Sequence, residues 1–331
     1  MLDARLMINA AHVGGIVHQH TVRLRYCVSI GVFQVDKLKN WIKQNLSVSS
    51  YCWPEGESFQ SFARCVSDAG LSQVGLNTGI FADIGAEKAR RILNDYGLSV
   101  STLNSAGYFT DPNLINQNMA VLDMAATLDA TALCIITGGV MGGAPPANLN
   151  LEYQKNAPLD LAKIREKSLN LYNEFAHEAA KYNVLLGLEP ITPFDIVTKG
   201  HVNSINAARH YLDMPKTNLI IDLFHSFWDP DLEECLTLNN TVCVLQFCDV
   251  IFGALNRPTN RAPLPEYPSE SHLPIGRYLR TMYHTAIESG IHRPVEFEVF
   301  RSDIVNQDVG HIIAALPGRV HQFILAEETI V

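Results

Sequence analysis

The sequence predicts an α/β protein in which eight strand–helix units close into a (β/α)8 barrel, preceded by an N-terminal extension. Three observations carry that expectation. From residue 46 onward, short apolar runs suited to buried strands alternate with amphipathic helical patterns, and strands that are apolar almost throughout belong to a parallel sheet covered on its faces. Eight such units fit before the C-terminus, the number that closes a barrel. No Gly-rich turn follows the first strand at Trp53, the signal by which an open doubly wound sheet usually announces itself.

Residues 1–46 form the extension. Leu6–Val17 is apolar but carries His12, Arg23–Val32 has strand character, and Asp36–Asn45 spaces Leu38, Trp41 and Ile42 along one side of a helix. This extension is expected to pack on the main body or on a second subunit. Residues 47–331 then read as one domain, because no Ser/Gly/Pro tract divides them. Strands are expected at Ser47–Trp53, Gln73–Asn77, Ser99–Asn104, Ala132–Thr137, Val184–Glu189, Asn218–Asp222, Val242–Phe247 and Pro294–Val299. The intervening helices are expected at Ser58–Ala69, Ala86–Tyr96, Leu114–Leu128, Leu161–Lys181, Ser204–Leu212, Leu232–Leu238, Gly276–Ser289 and Val309–Leu316. The clearest is Leu161–Lys181, where Leu161, Ile164, Leu169, Tyr172, Phe175 and Ala179 line one face against Lys and Glu.

The bulk numbers narrow the function classes. Of 331 residues, 47% are apolar and 18% charged, which fits a water-soluble protein with a sizeable core. A net charge of −9 with no Lys/Arg-rich run argues against a nucleic-acid partner. No apolar run is long enough for a membrane span, and the first twenty residues lack a uniform secretory core. Seven scattered cysteines without a C-x-x-C pair read as reduced thiols of a cytoplasmic protein.

Chemistry in such barrels collects at the C-terminal strand ends. Asn218–Leu232 is the most informative stretch: Leu219, Ile220 and Ile221 run as a buried strand, Asp222 ends it, and His225 follows three residues later. Strand five ends in Glu189. Strand seven carries Gln246 and Asp249, and strand eight carries Glu296 and Glu298. Each alone reads as well as a helix cap, a satisfied amide or a rim salt bridge. Four successive strands offering oxygen at one mouth point instead to a divalent cation held by Glu189, Asp222, Gln246 and Glu298. Such a hard set suits Mn²⁺ first, then Mg²⁺, Co²⁺ or Zn²⁺. Glu296 and Glu298, two apart, share a strand face, so both point inward or one is spent at the rim. Trp53, Tyr108, Phe109, Phe227 and Trp228 are positioned to wall a sugar ring, although any one of them is as readily a cap on the barrel. The loop with Gly138, Gly139, Gly142 and Gly143 reads as a lid over a non-phosphorylated substrate, because it carries no Lys or Arg.

The motifs LEPITPFD, IIDLFHSFWDPDL, LQFCDV, HLPIGRYL and VEFEVF occur in that order. With them the chain resembles, over roughly residues 46–320, the sugar phosphate isomerase/epimerase group of xylose-isomerase-like TIM barrels. That group includes ketose 3-epimerases and inosose dehydratases. The resemblance implies that Glu189, Asp222 and Glu298 are metal ligands, that His225 contacts a substrate oxygen, and that Asp195 is a substrate-contacting acid. The group usually has a metal-binding His at position 246, where this chain has Gln. The basic residue expected after strand seven falls within the insertion Phe252–Glu270, as Arg257 or Arg261, with His272 nearby. DNA-repair endonucleases of the same superfamily use a His-rich zinc cluster and a basic face, which this sequence lacks.

The expected chemistry follows. A carbon acid next to a carbonyl is weak, and a metal holding the substrate oxygens spreads the charge of the enediolate. Two carboxylates, Glu189 and Glu298, would act on opposite faces of the substrate as base and acid. Return of the proton gives epimerisation or isomerisation of a sugar or polyol ketone. Loss of a β-hydroxyl gives the alternative, a dehydratase. A non-catalytic binding module on the same scaffold is a third reading. The expected partners are a small carbohydrate and further copies of the chain, as a homo-oligomer.

Overall fold

The computed structural model describes residues 36–140, 160–238, 241–254 and 257–326. The expectations for residues 1–35, and for Gly142 and Gly143, lie outside these residues. Nearly all of these residues belong to one compact unit, Trp41–Val331. A helix, α1, covers 36–45, and from Trp41 on it is part of that unit, where Trp41 is buried edge-on against Tyr283 at 5.5 Å.

Eight parallel strands close the barrel. They are β1 (Leu46–Ser49), β2 (Gln73–Asn77), β3 (Ser99–Gly107), β4 (Ala132–Ile136), β5 (Leu186–Leu188), β6 (Thr217–Asp222), β7 (Val242–Phe247) and, after an antiparallel hairpin of β8 (Asp249–Phe252) and β9 (Pro258–Ala262), β10 (Val295–Phe297). Each pairs with its neighbour in chain order, and β10 closes the circle between β7 and β1. The outer helices are α2 (Phe59–Asp68), α3 (Ala86–Asp95), α4 (Ile115–Leu128), α5 (Leu161–Lys181), the short α6 (Ile205–Ala208), α7 (Leu223–Ser226) and α8 (Leu232–Thr237), then α9 (Ile275–Ser289) and α10 (Val309–Ala326). Local chemistry sets their ends. Ser58 accepts from the Ser61 N–H and Asp160 from the Lys163 N–H, each relieving an orphan donor of a first turn. Gly290, at φ +71°, takes the left-handed step that ends α9.

Three departures from the sequence reading have physical causes. The first strand stops at Ser49, whose hydroxyl accepts from the Tyr51 N–H and opens a 3-10 turn over Ser50–Cys52. The last helix runs through Pro317 to Ala326. A proline there forfeits one backbone bond, but Ile312, Ile313, Leu316, Val320, Phe323 and Ile324 are all buried along it, so packing outweighs the break. In α5 the packed residues are Ser168, Tyr172, Phe175, Ala176 and Ala179, while Leu161 stays exposed.

Inside the barrel the two halves differ. Ala132 and Cys134 of β4, Ile220 of β6 and Val244 of β7 pack with Ile136 and Ile191 into an apolar floor. On the opposite side Ser47, Ser101, Thr102 and Glu296 form a buried polar layer. All six described-region cysteines are free thiols, and among the described residues no helix is long and apolar enough to cross a membrane.

Candidate functional site

Strand alternation builds the site. On a strand every second residue shares a face, so Glu189 follows Gly187, Asp222 follows Ile220, Gln246 follows Val244 and Glu298 follows Glu296 into the barrel mouth. The register sets Asp222 beside Gln246, and Gln246 beside Glu296. Asp222 is 0% exposed, Gln246 1%, Glu298 4% and Glu189 6%. Standing on the apolar floor, the carboxylates lose hydration that only a proton or a cation can replace. Burial, with Asp222 adding to it, raises Glu189 to about 7, and Lys199 opposes the rise. Burial lifts Glu298 well above the carboxylate range although Arg261 pulls it down.

The β8–β9 hairpin delivers Arg261. Its guanidinium is sandwiched between the rings of Phe224 and Phe300, at 4.3 and 4.4 Å. Nη2 donates to Asp222 Oδ2 and, at 3.2 Å, to Glu298 Oε2. Burial alone would lower the Arg261 pKa, but Asp222 and Glu298 outweigh it and hold the group above its ordinary value. Arg261 therefore lies against two of the residues read as metal ligands, at the bottom of the mouth.

His225 sits between Glu189 and Asp222, with Nε2 3.8 Å from Glu189 Oε1 and from Asp222 Oδ2. Burial, then Arg261 and Lys199, drive its pKa well below 6.5, so the ring is neutral. The Thr192 N–H lies 3.4 Å from Nδ1 and Arg261 Nη2 lies 3.5 Å from Nε2, so both ring nitrogens face donors. Glu189, Asp222 and His225 nevertheless offer atoms within 4.8 Å of one another, close enough to hold a metal ion together.

Gln246 and Glu296 complete the floor of the site. Gln246 Nε2 donates to Glu296 Oε1 at 3.0 Å and to Glu298 Oε1 at 3.4 Å, while its Oε1 is buried without a partner. Both residues that the sequence placed on one face of the last strand thus point inward, at two depths.

A cavity of about 260 Å³ opens over His225 and Arg261, its wall including Asp195, Lys199, Arg257 and Phe300, while Glu189, Asp222, Gln246 and Glu298 are buried and do not line it. A larger groove of about 640 Å³ lies elsewhere, between α2 and α10. Trp53 lines that groove and packs on Phe62, so it does not wall the mouth. The early end of β1 gives that place to Tyr51, whose pKa is raised by burial and then by Glu298, Cys134 and Glu189 and whose ring meets Phe300 edge-on at 5.0 Å. Tyr108 packs against the apolar floor and feels Cys134 and Glu189. Phe109 is buried against Tyr172 and Phe175, outside the mouth. Trp228 is 41% exposed and donates Nε1–H to the His225 carbonyl, and Phe227 packs on Phe252. Asp249 accepts from the Ser271 hydroxyl and the His272 N–H, tying down the return segment after the hairpin. Sequence reasoning missed Tyr51, Lys199, Phe300 and Cys134, whose thiol donates to Glu189 Oε2 at 3.2 Å. Cys134 sits mid-strand in β4 and Tyr51 in the turn after β1, so neither stood at a strand end.

Among the described residues, Glu189, Asp222 and His225 are the group placed to hold a metal ion. Glu189, Asp222 and Glu298 are buried carboxylates beside one buried guanidinium and an imidazole, with Lys199 further out, while Glu296 is taken up by Ser101, Thr102 and Gln246. The Gln246 oxygen is buried without a partner, an acceptor that a donor or a cation would satisfy.

The sequence model of the xylose isomerase-like TIM barrel family matches residues 63–316. No curated protein matches the chain in sequence. Among solved structures, a Sinorhizobium meliloti 1021 protein superposes with a TM-score of 0.66 at 21% identity, over 83% of this chain and 96% of its own. The IOLI protein with a bound zinc atom gives 0.62 at 14%, over 86% and 97%. D-Psicose 3-epimerase from Clostridium cellulolyticum H10, solved with D-tagatose, gives 0.58 at 13%, over 87% and 99%. At these identities the likeness shows the shared fold.

Proposed function

The chain belongs to the xylose isomerase-like TIM barrel family, and on that premise we propose that it is a divalent-metal-dependent isomerase or epimerase of a sugar or polyol ketone. The observation that carries the reading is the buried group Glu189, Asp222 and His225, whose ligand atoms lie within 4.8 Å of one another. Glu189, Asp222, Gln246 and Glu298 would hold the metal, with Mn²⁺ the best match to an oxygen-rich set. When bound, the ion supplies Lewis-acid polarisation of a substrate carbonyl.

The chain's own groups supply the rest. Glu189 and Glu298 come from strands separated by β6 and β7 and reach the mouth from different sides. One removes a proton from the carbon next to the carbonyl and the other returns one. Return to the opposite face of the same carbon is epimerisation, and return to the neighbouring carbon is isomerisation. His225 contacts a substrate oxygen. Phe224, Phe300 and Tyr51 keep water from the reacting carbon, and Asp195 and Lys199 at the rim bind outer hydroxyls. The solved epimerase among the structural neighbours supports this class of chemistry.

The test is hydrogen exchange. The metal-replete protein is incubated in D₂O with a panel of neutral ketoses, and deuterium at the carbon next to the carbonyl is followed by NMR. Deuterium uptake without loss of water, abolished by EDTA and restored by Mn²⁺, is expected. Water loss would move the assignment to a dehydratase. Binding without exchange would make the protein a non-catalytic sugar binder.

A further inference from the structure

Glu296 is buried at the last barrel strand, one inward step beneath Glu298, and every group around it is turned to donate. Ser101 Oγ donates to Oε2 at 2.6 Å, and Thr102 Oγ1 donates to the carboxylate at 2.7 and 2.9 Å. Ser47 is therefore the donor in its 2.6 Å contact with Ser101. Asn104 Nδ2 stands 3.4 Å behind Thr102 Oγ1, so that hydroxyl is also committed to donating inward. The seat is cut for this side chain: a Cβ on Gly75 would lie 2.4–2.5 Å from the Glu296 carboxylate. The third donor is Gln246 Nε2 at 3.0 Å, whose other proton goes to Glu298. Turning the amide over would set its oxygen against two carboxylates. The amide is thus held in one orientation, and its oxygen is left buried and unpaired on the opposite edge.

We propose that Glu296 is a positioning residue: it fixes the Gln246 amide so that oxygen, not nitrogen, is presented to the electropositive ligand of the site. Gln is a poorer ligand than the imidazole or carboxylate it would stand beside, because either end of its amide can face the ligand. Glu296 removes that ambiguity. The identity of the ligand as a divalent cation rests on the function proposed above. The orientation of the amide does not.

The experiment separates the two. In protein labelled with ¹⁵N-glutamine, a Gln246→Ala variant assigns the Gln246 side-chain amide. Its protons are expected to be protected from exchange in metal-free protein and to lose that protection in Glu296→Met. Glu296→Gln keeps an acceptor for Nε2 and is expected to retain most of the protection. Thr102→Val leaves Glu296 in place but loosens it, and is expected to weaken the protection in a fold that is easier to preserve. An amide that exchanges as fast as a solvated glutamine in wild type, or is equally protected in Glu296→Met, overturns the proposal. Mn²⁺ affinity is then measured by calorimetry. Loss of a group that orients a ligand costs about 10-fold or more in affinity, so Glu296→Met is expected to lose that much and Glu296→Gln far less. In a Gln246→Ala background, Glu296→Met should cost less than about twofold. An undiminished loss in that background shows that Glu296 acts through its charge alone and refutes the positioning role. Wild type that binds no Mn²⁺ sinks the metal reading, and the amide exchange result then decides this proposal by itself.

Discussion

Arg261→Met asks directly how the buried charge at the barrel mouth is balanced. The guanidinium donates to Asp222 and Glu298, both almost wholly buried, and is itself 4% exposed. Methionine keeps much of the stem and its packing between Phe224 and Phe300 but removes the charge. Stripping one partner from a buried ion pair leaves the others uncompensated, at a cost of about 3–5 kcal/mol. At roughly 2–3 °C per kcal/mol for a domain of this size, the metal-free melting midpoint is expected to fall by about 6–15 °C. Burial already holds Glu298 well above the carboxylate range, so the drop should shrink as acid supplies the missing proton. Mn²⁺ at 100 times its Kd adds about 2.7 kcal/mol to any form that binds it. In the variant the ion no longer shares Asp222 and Glu298 with a guanidinium, so its stabilising shift should exceed that in wild type. Differential scanning fluorimetry with and without Mn²⁺ reads both quantities. A metal-free midpoint unchanged by the substitution would refute the counter-charge role. A large drop with a smaller Mn²⁺ shift than wild type would show that these carboxylates are not offered to a cation.

Other perturbations address separate parts of the structure. Gly75→Ala puts a methyl group 2.4–2.5 Å from the Glu296 carboxylate, and the overpacking should cost about 1–3 kcal/mol, read by chemical denaturation, together with weaker Mn²⁺ binding. Glu298→Gln should abolish deuterium uptake into ketoses while leaving a folded barrel by circular dichroism; full turnover would remove Glu298 from the acid–base pair. His201 is buried with Nδ1 2.9 Å from the Gly138 carbonyl and Nε2 3.3 Å from Tyr211 Oη, and burial lowers its pKa. Because the unfolded chain then binds more protons between that lowered value and the ordinary 6.5, stability should rise with pH across that window and level off above it. His201→Phe should flatten this part of a melting-midpoint profile, and an unchanged slope would exonerate His201.

What the sequence made legible is what alternation alone determines. Glu189, Asp222, Gln246 and Glu298 were found because each is the next inward residue after a buried run, and the strand boundaries needed to see this were off by only a residue or two. Trp53 was misplaced because nothing in Val48–Trp53 marks the stop. Serine, tyrosine and cysteine all tolerate a strand, and the turn is set by a single Ser49 hydroxyl reaching the Tyr51 N–H. Arg261 was identified as one of two basic candidates, but its partners were not. Its strand, Pro258–Ala262, pairs with Asp249–Phe252 across a register shift, and no polar–apolar alternation in PTNRA announces a hairpin.

Glu296 is the hardest case, and it shows where reading a chain locally stops working. Its inward face follows from its spacing to Glu298, but a buried carboxylate is tolerable only if the opposite wall makes room and supplies donors. The room comes from a missing Cβ at Gly75 and the donors from Ser101 and Thr102, on strands that closure of the barrel brings round to face the last one. Taken alone, Gly75 looks like a weak point in a strand and Ser101–Thr102 like an interruption of an apolar run. Each becomes explicable only when the first and last strands pair, Ser47 beside Glu296. Closure of the barrel is therefore what converts three apparent flaws into one seat, and a substitution that opens the β1–β10 seam should disable Gln246 before it unfolds the rest.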